Sequence, residues 1–341
     1  MPTSPRTSSP RRGGGFVSRS RWCELTRHLA IVGPTASGKS AVALEVAATL
    51  GDVEIVSLDS MQVYRGMDIG TAKPSRADRA SVPHHLVDVA DPSDEWSVRE
   101  TQHAARAAID DIEARGRRAL LVGGTGLYVR AVVDRLSVPP RDMDVRAALD
   151  HETATDTGLA LAYARLVAAD PVAASRIEPG NARRIVRALE VMETTGRPFS
   201  SFGSGLAEYG PPAFDIGLVG VWLPRAELGR RITDRFAAMR ADGLESEVRA
   251  LTAAGTLSRT AAQAIGYKEL LAHFDGEIPT LAEAFELAVS RTRRFARRQR
   301  VWFRRDPRIR WVGTARNPQD VVGVVLALWE TRVATVAAES S

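Results

Sequence analysis

Gly33-Pro34-Thr35-Ala36-Ser37-Gly38-Lys39-Ser40 decides how this chain is read. It fits the pattern G-x-x-x-x-G-K-[ST], whose glycines let the backbone curl so that its N–H groups converge on phosphate oxygens. Just before it, His28–Val32 is a short apolar run, the pattern of a buried strand. Just after it, residues 40–50 have helical patterning, and a helix there aims its positive end at the same anion. Lys39 supplies a point charge, and the Ser40 hydroxyl is suited to ligating Mg²⁺. The whole stretch, Gly33, Pro34, Thr35, Ala36, Ser37, Gly38, Lys39 and Ser40, is a candidate phosphate site. The pattern by itself is permissive; its place between strand and helix makes it specific.

Further on, an expected strand at 53–58 runs into Asp59. An acid at the C-terminal end of a strand beside a phosphate loop either holds Mg²⁺ or acts as a base, and the residues alone leave both open. The chain has 46 Lys plus Arg but only three lysines, Lys39, Lys73 and Lys268. Where arginine serves as the generic cation, a remaining lysine points to a need for a compact charge. A helix at 97–115 and a strand at 118–122 precede Gly123-Gly124-Thr125-Gly126-Leu127-Tyr128, which opens another helix. Two glycines at such a turn are either a tight bend or room for a ligand to approach the backbone. The alternation predicts a mostly parallel, doubly wound sheet with its ligand at the strand C-termini.

The alternation breaks after Pro139-Pro140. Helical patterns at 145–152, 158–169 and 182–194 end in a Gly/Pro/Ser-rich stretch at 197–212, and strand character resumes at Ile216–Trp222. Residues 140–213 are therefore expected to form a helical insertion domain in an α/β core made of 26–139 and 214–333. Helices are expected at 225–240, where Arg231 and Arg235 share a face, and at 279–305. The latter ends with Arg291, Arg293, Arg294, Arg297, Arg298, Arg300, Arg304 and Arg305 interleaved with Phe295, Trp302 and Phe303, a surface suited to a polyanion.

Composition narrows the class. A 44% hydrophobic share in 341 residues is enough for a real core. The single cysteine, Cys23, rules out an intramolecular disulfide framework, and no apolar run approaches the roughly 18 residues of a membrane span. A cytoplasmic protein fits both facts. The net charge of +5 equals that of the first 22 residues, with five arginines and no acid, so the rest sums to zero. Residues 1–25 read as a disordered basic tail. No assembly seam is apparent, so a monomer is the default. His84 and His85 precede an apolar run and read as structural.

One segment goes beyond generic patterning. Residues 55–74, IVSLDSMQVYRGMDIGTAKP, closely resemble the tRNA dimethylallyltransferase family. So do GPTASGKS at 33–40, PHHLVDVADP at 83–92, LLVGGTGLY at 120–128, QAIGYKEL at 263–270 and TRRFARRQRVWFRR at 292–305. The resemblance runs in order from about residue 28 to 312 and departs from the family only mildly, with Ser40 for the common threonine and Trp96 for tyrosine. It implies a P-loop NTPase-like α/β core with a helical insertion and a helical C-terminal part. The implied reaction moves a dimethylallyl group from dimethylallyl diphosphate to N6 of the adenosine immediately 3′ of the anticodon in tRNA, with Mg²⁺ as cofactor.

By match to the family motifs, Asp59 is implied as general base, and Thr35 and Arg235 as groups on the diphosphate. The match likewise implies RNA contacts at Asp59, Ser60, Met61, Gln62, Thr125, Arg146, Arg183, Arg184, Arg187, Gln263, Ala264, Ile265, Gly266, Tyr267 and Lys268. Other readings are an adenine-nucleotide isopentenyltransferase, a P-loop kinase of a small metabolite and a nucleotide-dependent RNA-binding switch. The 55–74 block and the basic C-terminal helix weigh against the kinase.

Overall fold

A computed structural model describes residues 26–202 and 208–330; the expected tail, 1–25, lies outside them. The first half alternates strand and helix: β1 (His28–Val32), α1 (Lys39–Leu50), β2 (Val53–Ser57), α2 (Arg76–Ser81), β3 (His84–His85), α3 (Val98–Ala114), β4 (Arg118–Gly123) and α4 (Gly126–Val133). Four helices follow, α5 (Met143–Glu152), α6 (Asp156–Ala169), α7 (Pro171–Ala174) and α8 (Ala182–Thr195), before the sheet resumes at β5 (Ile216–Trp222). The C-terminal part holds α9 (Arg225–Ala241), α10 (Leu244–Ala254), α11 (Arg259–Ala262), α12 (Tyr267–Phe274), α13 (Leu281–Phe303), β6 (Arg310–Gly313) and α14 (Val322–Glu330).

The strands form one sheet in the order β3-β2-β4-β1-β5-β6, and every pairing is parallel. β1, β2 and β4 are buried nearly throughout, because helices cover both faces of a parallel sheet. One apolar layer joins α1 and α14 to the sheet around Val42, Val46, Val325 and Trp329. The opposite layer is built from α3, α4 and the end of α13 around Ile109, Ile112, Val132 and Phe303. β4 lies between β1 and β2, so the chain reverses direction across the sheet there, and the crevice above that point is where such folds bind ligands. Val32 is level with Gly123 and Ser57 with Val122, so the turns after β1, β2 and β4 begin at one height.

α9 to α13 pack with Val63, Tyr64 and Met67 into a third core. α5 to α8 have a separate core centred on Leu149, Leu166, Ile185 and Leu189. Asp142, Thr155, Asp170 and Asn181 cap these four helices with side-chain acceptors, and Gly196 ends the last in the left-handed region. Glu190, almost wholly buried, receives Arg187 at 2.9 Å and Arg146 at 3.6 Å. The returning strand is tied down by Arg308, which donates to Asp134 at 2.6 Å and to the Gly210 carbonyl at 2.9 Å.

His84 and His85 serve the fold. His84 bonds the Val82 carbonyl at 2.7 Å, and His85 meets the buried Glu54 carboxylate at 2.7 Å. Hydrogen bonds from Arg115, with His85 second, hold Glu54 down at about 2.

Candidate functional site

The loop between β1 and α1 closes through Ser37 N–H donating to the Pro34 carbonyl, and Ala36 lies in the left-handed region at φ 63°. Such a conformation costs a non-glycine residue roughly 1–2 kcal/mol. Arg231 holds it by donating from Nε to the Ala36 carbonyl at 3.0 Å. One turn along α9, Arg235 donates from Nη1 to Thr35 Oγ1 at 3.3 Å. The two arginines expected to share a face thus both reach the phosphate loop.

Lys39 opens α1 and is partly accessible, with its ammonium beside the Gly124 turn. Burial brings its pKa down to about 8, against the pull of Asp59 and with the push of Arg235. Arg235 is likewise lowered by burial and by Arg231, with Asp59 opposing. Asp59, two residues past the end of β2, is thus near enough for its charge to act on both cations. One of its oxygens accepts the Met61 N–H at 2.9 Å, which fixes the turn. Gln62 extends that order: its Oε1 accepts from Ser57 at 2.9 Å, and its Nε2 donates to the Thr71 and Ala72 carbonyls at 3.3 and 3.2 Å. Tyr128 stands near Asp59, with its phenol pushed up to about 12 by burial.

The glycines after β4 have a different partner from the ligand considered from sequence. A side chain at Gly124 would lie 2.7 Å from Gln299 Nε2 and 3.3 Å from Lys39 Nζ, and one at Gly126 would enter the Trp302 ring. The approaching group is the protein's own α13, packed against this turn. Thr125 remains partly accessible at the mouth of the crevice.

Of the other expected RNA contacts, Ser60, Met61 and Gln62 border Asp59 and are partly accessible. Arg183 and Arg184 are exposed. Arg146 is engaged with Asp150 at 3.0 Å besides Glu190. Arg187 donates to the Pro139 and Pro140 carbonyls at 2.8 and 2.9 Å and braces the insertion's first connection. Within residues 263–268, Gln263 is exposed, Ile265 and Lys268 are partly so, and Lys268 donates to Gln263 at 2.8 Å. Ala264, Gly266 and Tyr267 are buried, so the accessible part of this segment is Gln263, Ile265 and Lys268. The Tyr267 hydroxyl goes instead to Glu247, whose carboxylate also accepts the N–H groups of Asp68, Ile69 and Gly70. The apolar environment of the third core drew this ring inward. Arg259 of α11 meets Asp150 of α5 at 3.6 Å, so insertion and core touch beside this segment.

Lys73 donates to the Tyr64 carbonyl at 2.7 Å and to Asp68 and Asp88 at 2.6 Å each. Three acceptors around one small cation explain a lysine here. On α13, Thr292, Ala296, Gln299 and Phe303 face inward and Arg293, Arg294, Arg297 and Arg298 face solvent, as do Arg304 and Arg305 just past its end. Arg291 is spent on the buried Glu269 at 2.5 Å. Sequence reading passed over Gln299 and Glu247. Gln299 had one signal, an uncharged amide inside an arginine run at an inward helical position.

The IPP transferase family model matches residues 62–306, and the isopentenyl transferase model matches 26–88. A tRNA dimethylallyltransferase of Salinispora arenicola is 53% identical over 84% of this chain and 82% of its own length. The crystal structure of a tRNA isopentenylpyrophosphate transferase from Bacillus halodurans is 36% identical, with a TM-score of 0.66 over 93% of this chain and 99% of that one. A eukaryotic dimethylallyltransferase captured acting on tRNA is 26% identical, with a TM-score of 0.70 over 91% of this chain and 77% of its own. By sequence over most of its length and by fold, the chain belongs to the tRNA dimethylallyltransferase family.

Proposed function

We propose that this protein transfers a dimethylallyl group from dimethylallyl diphosphate to N6 of the adenosine immediately 3′ of the anticodon in tRNA. The observation that carries it is an anion cradle beside a carboxylate: Lys39, Arg235 and Thr35 gather at the phosphate loop, and Asp59 acts electrostatically on both cations. A phosphate loop recognises phosphate oxygens and is indifferent to which bond then breaks. Here it binds the diphosphate as a leaving group. The adenine N6 lone pair forms the new bond to the allylic carbon as the carbon–oxygen bond breaks, and its electron pair departs with the diphosphate. Asp59 takes the N6 proton, a contribution of about 10²–10⁴-fold. Negative charge grows on the diphosphate, where loop N–H groups, Lys39 and Arg235 stabilise it without reorganising.

Ser40, the exposed residue after Lys39, carries a hard hydroxyl oxygen, a donor that suits Mg²⁺ shared with phosphate oxygens. Bound there, the ion would neutralise charge on the leaving diphosphate. The acceptor base must leave its stack to expose N6 to Asp59. Exposed arginines of α8 and α13 would hold the surrounding phosphates. The protein acts as a cytoplasmic monomer in this reading; among the described residues no helix is long and apolar enough to cross a membrane. Transfer to free adenine nucleotides is the second reading, but relatives named for action on tRNA and the basic face of α13 favour the polynucleotide. The test is mass spectrometry of an anticodon stem-loop and of AMP, each incubated with protein, Mg²⁺ and dimethylallyl diphosphate. A five-carbon gain on the stem-loop supports the proposal; modified AMP beside an unmodified stem-loop replaces it.

A further inference from the structure

Gln299 is the residue through which α13 touches the phosphate loop. Its Oε1 accepts the Thr35 N–H at 2.8 Å, and its Nε2 donates to the Gly124 carbonyl at 2.8 Å. The residue is 7% exposed, so both bonds are largely shielded from solvent. The two partners also fix the amide's orientation: a backbone N–H needs the oxygen and a backbone carbonyl needs the NH₂. One amide therefore joins the turn after β1 to the turn after β4.

We propose that Gln299 is a positioning residue for the diphosphate site, acting through Thr35. The Thr35 N–H is taken by Gln299, so this amide is withheld from the phosphate and the residue is held from the opposite side. That restraint leaves Thr35 Oγ1 within 3.3 Å of Arg235. The same side chain occupies the space a Cβ at Gly124 would need, next to Lys39 Nζ. Gln299 thus sets the spacing between two of the groups that take up charge on the leaving diphosphate. At this length the amide suits both partners: methionine fills the volume but bonds neither group, and an ionised glutamate accepts from Thr35 but repels the Gly124 carbonyl oxygen.

The inference rests on the diphosphate being the loop's ligand, and its test separates the two. Gln299→Met, Thr35→Val and the double variant are compared for kcat, for KM toward dimethylallyl diphosphate, for stem-loop affinity and for melting temperature. Gln299→Met should lower kcat at least tenfold with stem-loop affinity within twofold. In the Thr35→Val background it should cost little more, because both changes break one relay. Fully multiplicative losses, or a Gln299→Met loss under twofold in folded protein, overturn the proposal.

Gln299→Glu gives a second readout. Protonated, its carboxyl donates to Gly124 and accepts from Thr35, so its activity relative to wild type should rise as pH falls; a flat ratio contradicts the role. If wild type transfers no prenyl group, calorimetry with inorganic diphosphate still decides. Gln299→Met should weaken that binding about tenfold, and unchanged affinity rejects the positioning role whatever the reaction proves to be.

Discussion

Arg235 donates to the Thr35 hydroxyl at 3.3 Å, a bond between α9 and the phosphate loop that spans 200 positions of sequence. Its guanidinium, partly withdrawn from water, adds charge to a cradle that already holds Lys39. Such an arrangement repels itself until an anion arrives. Arg235→Lys keeps the charge but loses the planar fork, and kcat should fall by about 10²–10³-fold. Melting temperature should stay the same or fall slightly, because the buried charge remains and the bond to Thr35 is lost. Steady-state kinetics alongside thermal denaturation checks both halves.

Lys39 makes diphosphate binding pH-dependent. In the ligand-free protein its pKa is about 8, and the diphosphate requires the charged ammonium. Affinity should be level below pH 8 and fall above it by up to about tenfold per pH unit, a trend that Lys39→Met should lack. Calorimetric titration of inorganic diphosphate between pH 7 and 9.5 reads this out.

The same group shapes ligand-free stability with a definite sign. Its folded pKa of about 8 lies below the ordinary 10.5, so the unfolded chain binds more protons here between those values. Stability gains from this site as pH rises through that window, by on the order of 3 kcal/mol at most. Lys39→Met should be more stable than wild type at neutral pH, with the difference shrinking toward pH 10. Urea unfolding at two pH values tests it.

The basic face of α13 divides into working and structural arginines. Arg294, Arg297 and Arg298 point into solvent, whereas Arg291 neutralises the buried Glu269. Replacing any of the first three by glutamine should reduce the salt dependence of stem-loop binding by about one unit of log–log slope. Arg291→Gln should leave that slope unchanged and cost about 3–5 kcal/mol of stability, since it strands a buried carboxylate.

Glu247 gathers three backbone N–H groups of the 68–70 turn and the Tyr267 hydroxyl. Tyr267→Phe should cost about 1 kcal/mol and leave stem-loop affinity unchanged. A loss of RNA binding without a loss of stability would return Tyr267 to the RNA surface. Fluorescence anisotropy and denaturant titration separate the outcomes.

Much of the fold is legible in the sequence because its signals are local. His28–Val32 followed by Gly33 reads as strand and phosphate loop, and the apolar run at Ile216–Trp222 marks the return of the sheet after the insertion. The partners of Glu247, Gln299 and Arg231 have no such local signal. Glu247 meets the 68–70 turn, Gln299 meets Thr35 and Arg231 meets Ala36 across well over a hundred residues each, so no periodicity betrays these contacts. Tyr267 shows a further limit: its neighbours mark the stretch, but that its ring packs into the helical core and its hydroxyl meets Glu247 is not readable locally. The glycines after β4 are readable as a site of close approach, but not that α13 is what approaches.

The most direct measurement is intact-mass spectrometry of an anticodon stem-loop after incubation with Mg²⁺ and dimethylallyl diphosphate, comparing wild type with Asp59→Ala. Wild type should add one five-carbon unit to the adenosine 3′ of the anticodon, and Asp59→Ala should be slower by about 10²-fold or more while still binding diphosphate. An unmodified stem-loop with folded, diphosphate-binding wild type would contradict the proposed reaction. Full activity in Asp59→Ala would contradict the role of Asp59 as its base.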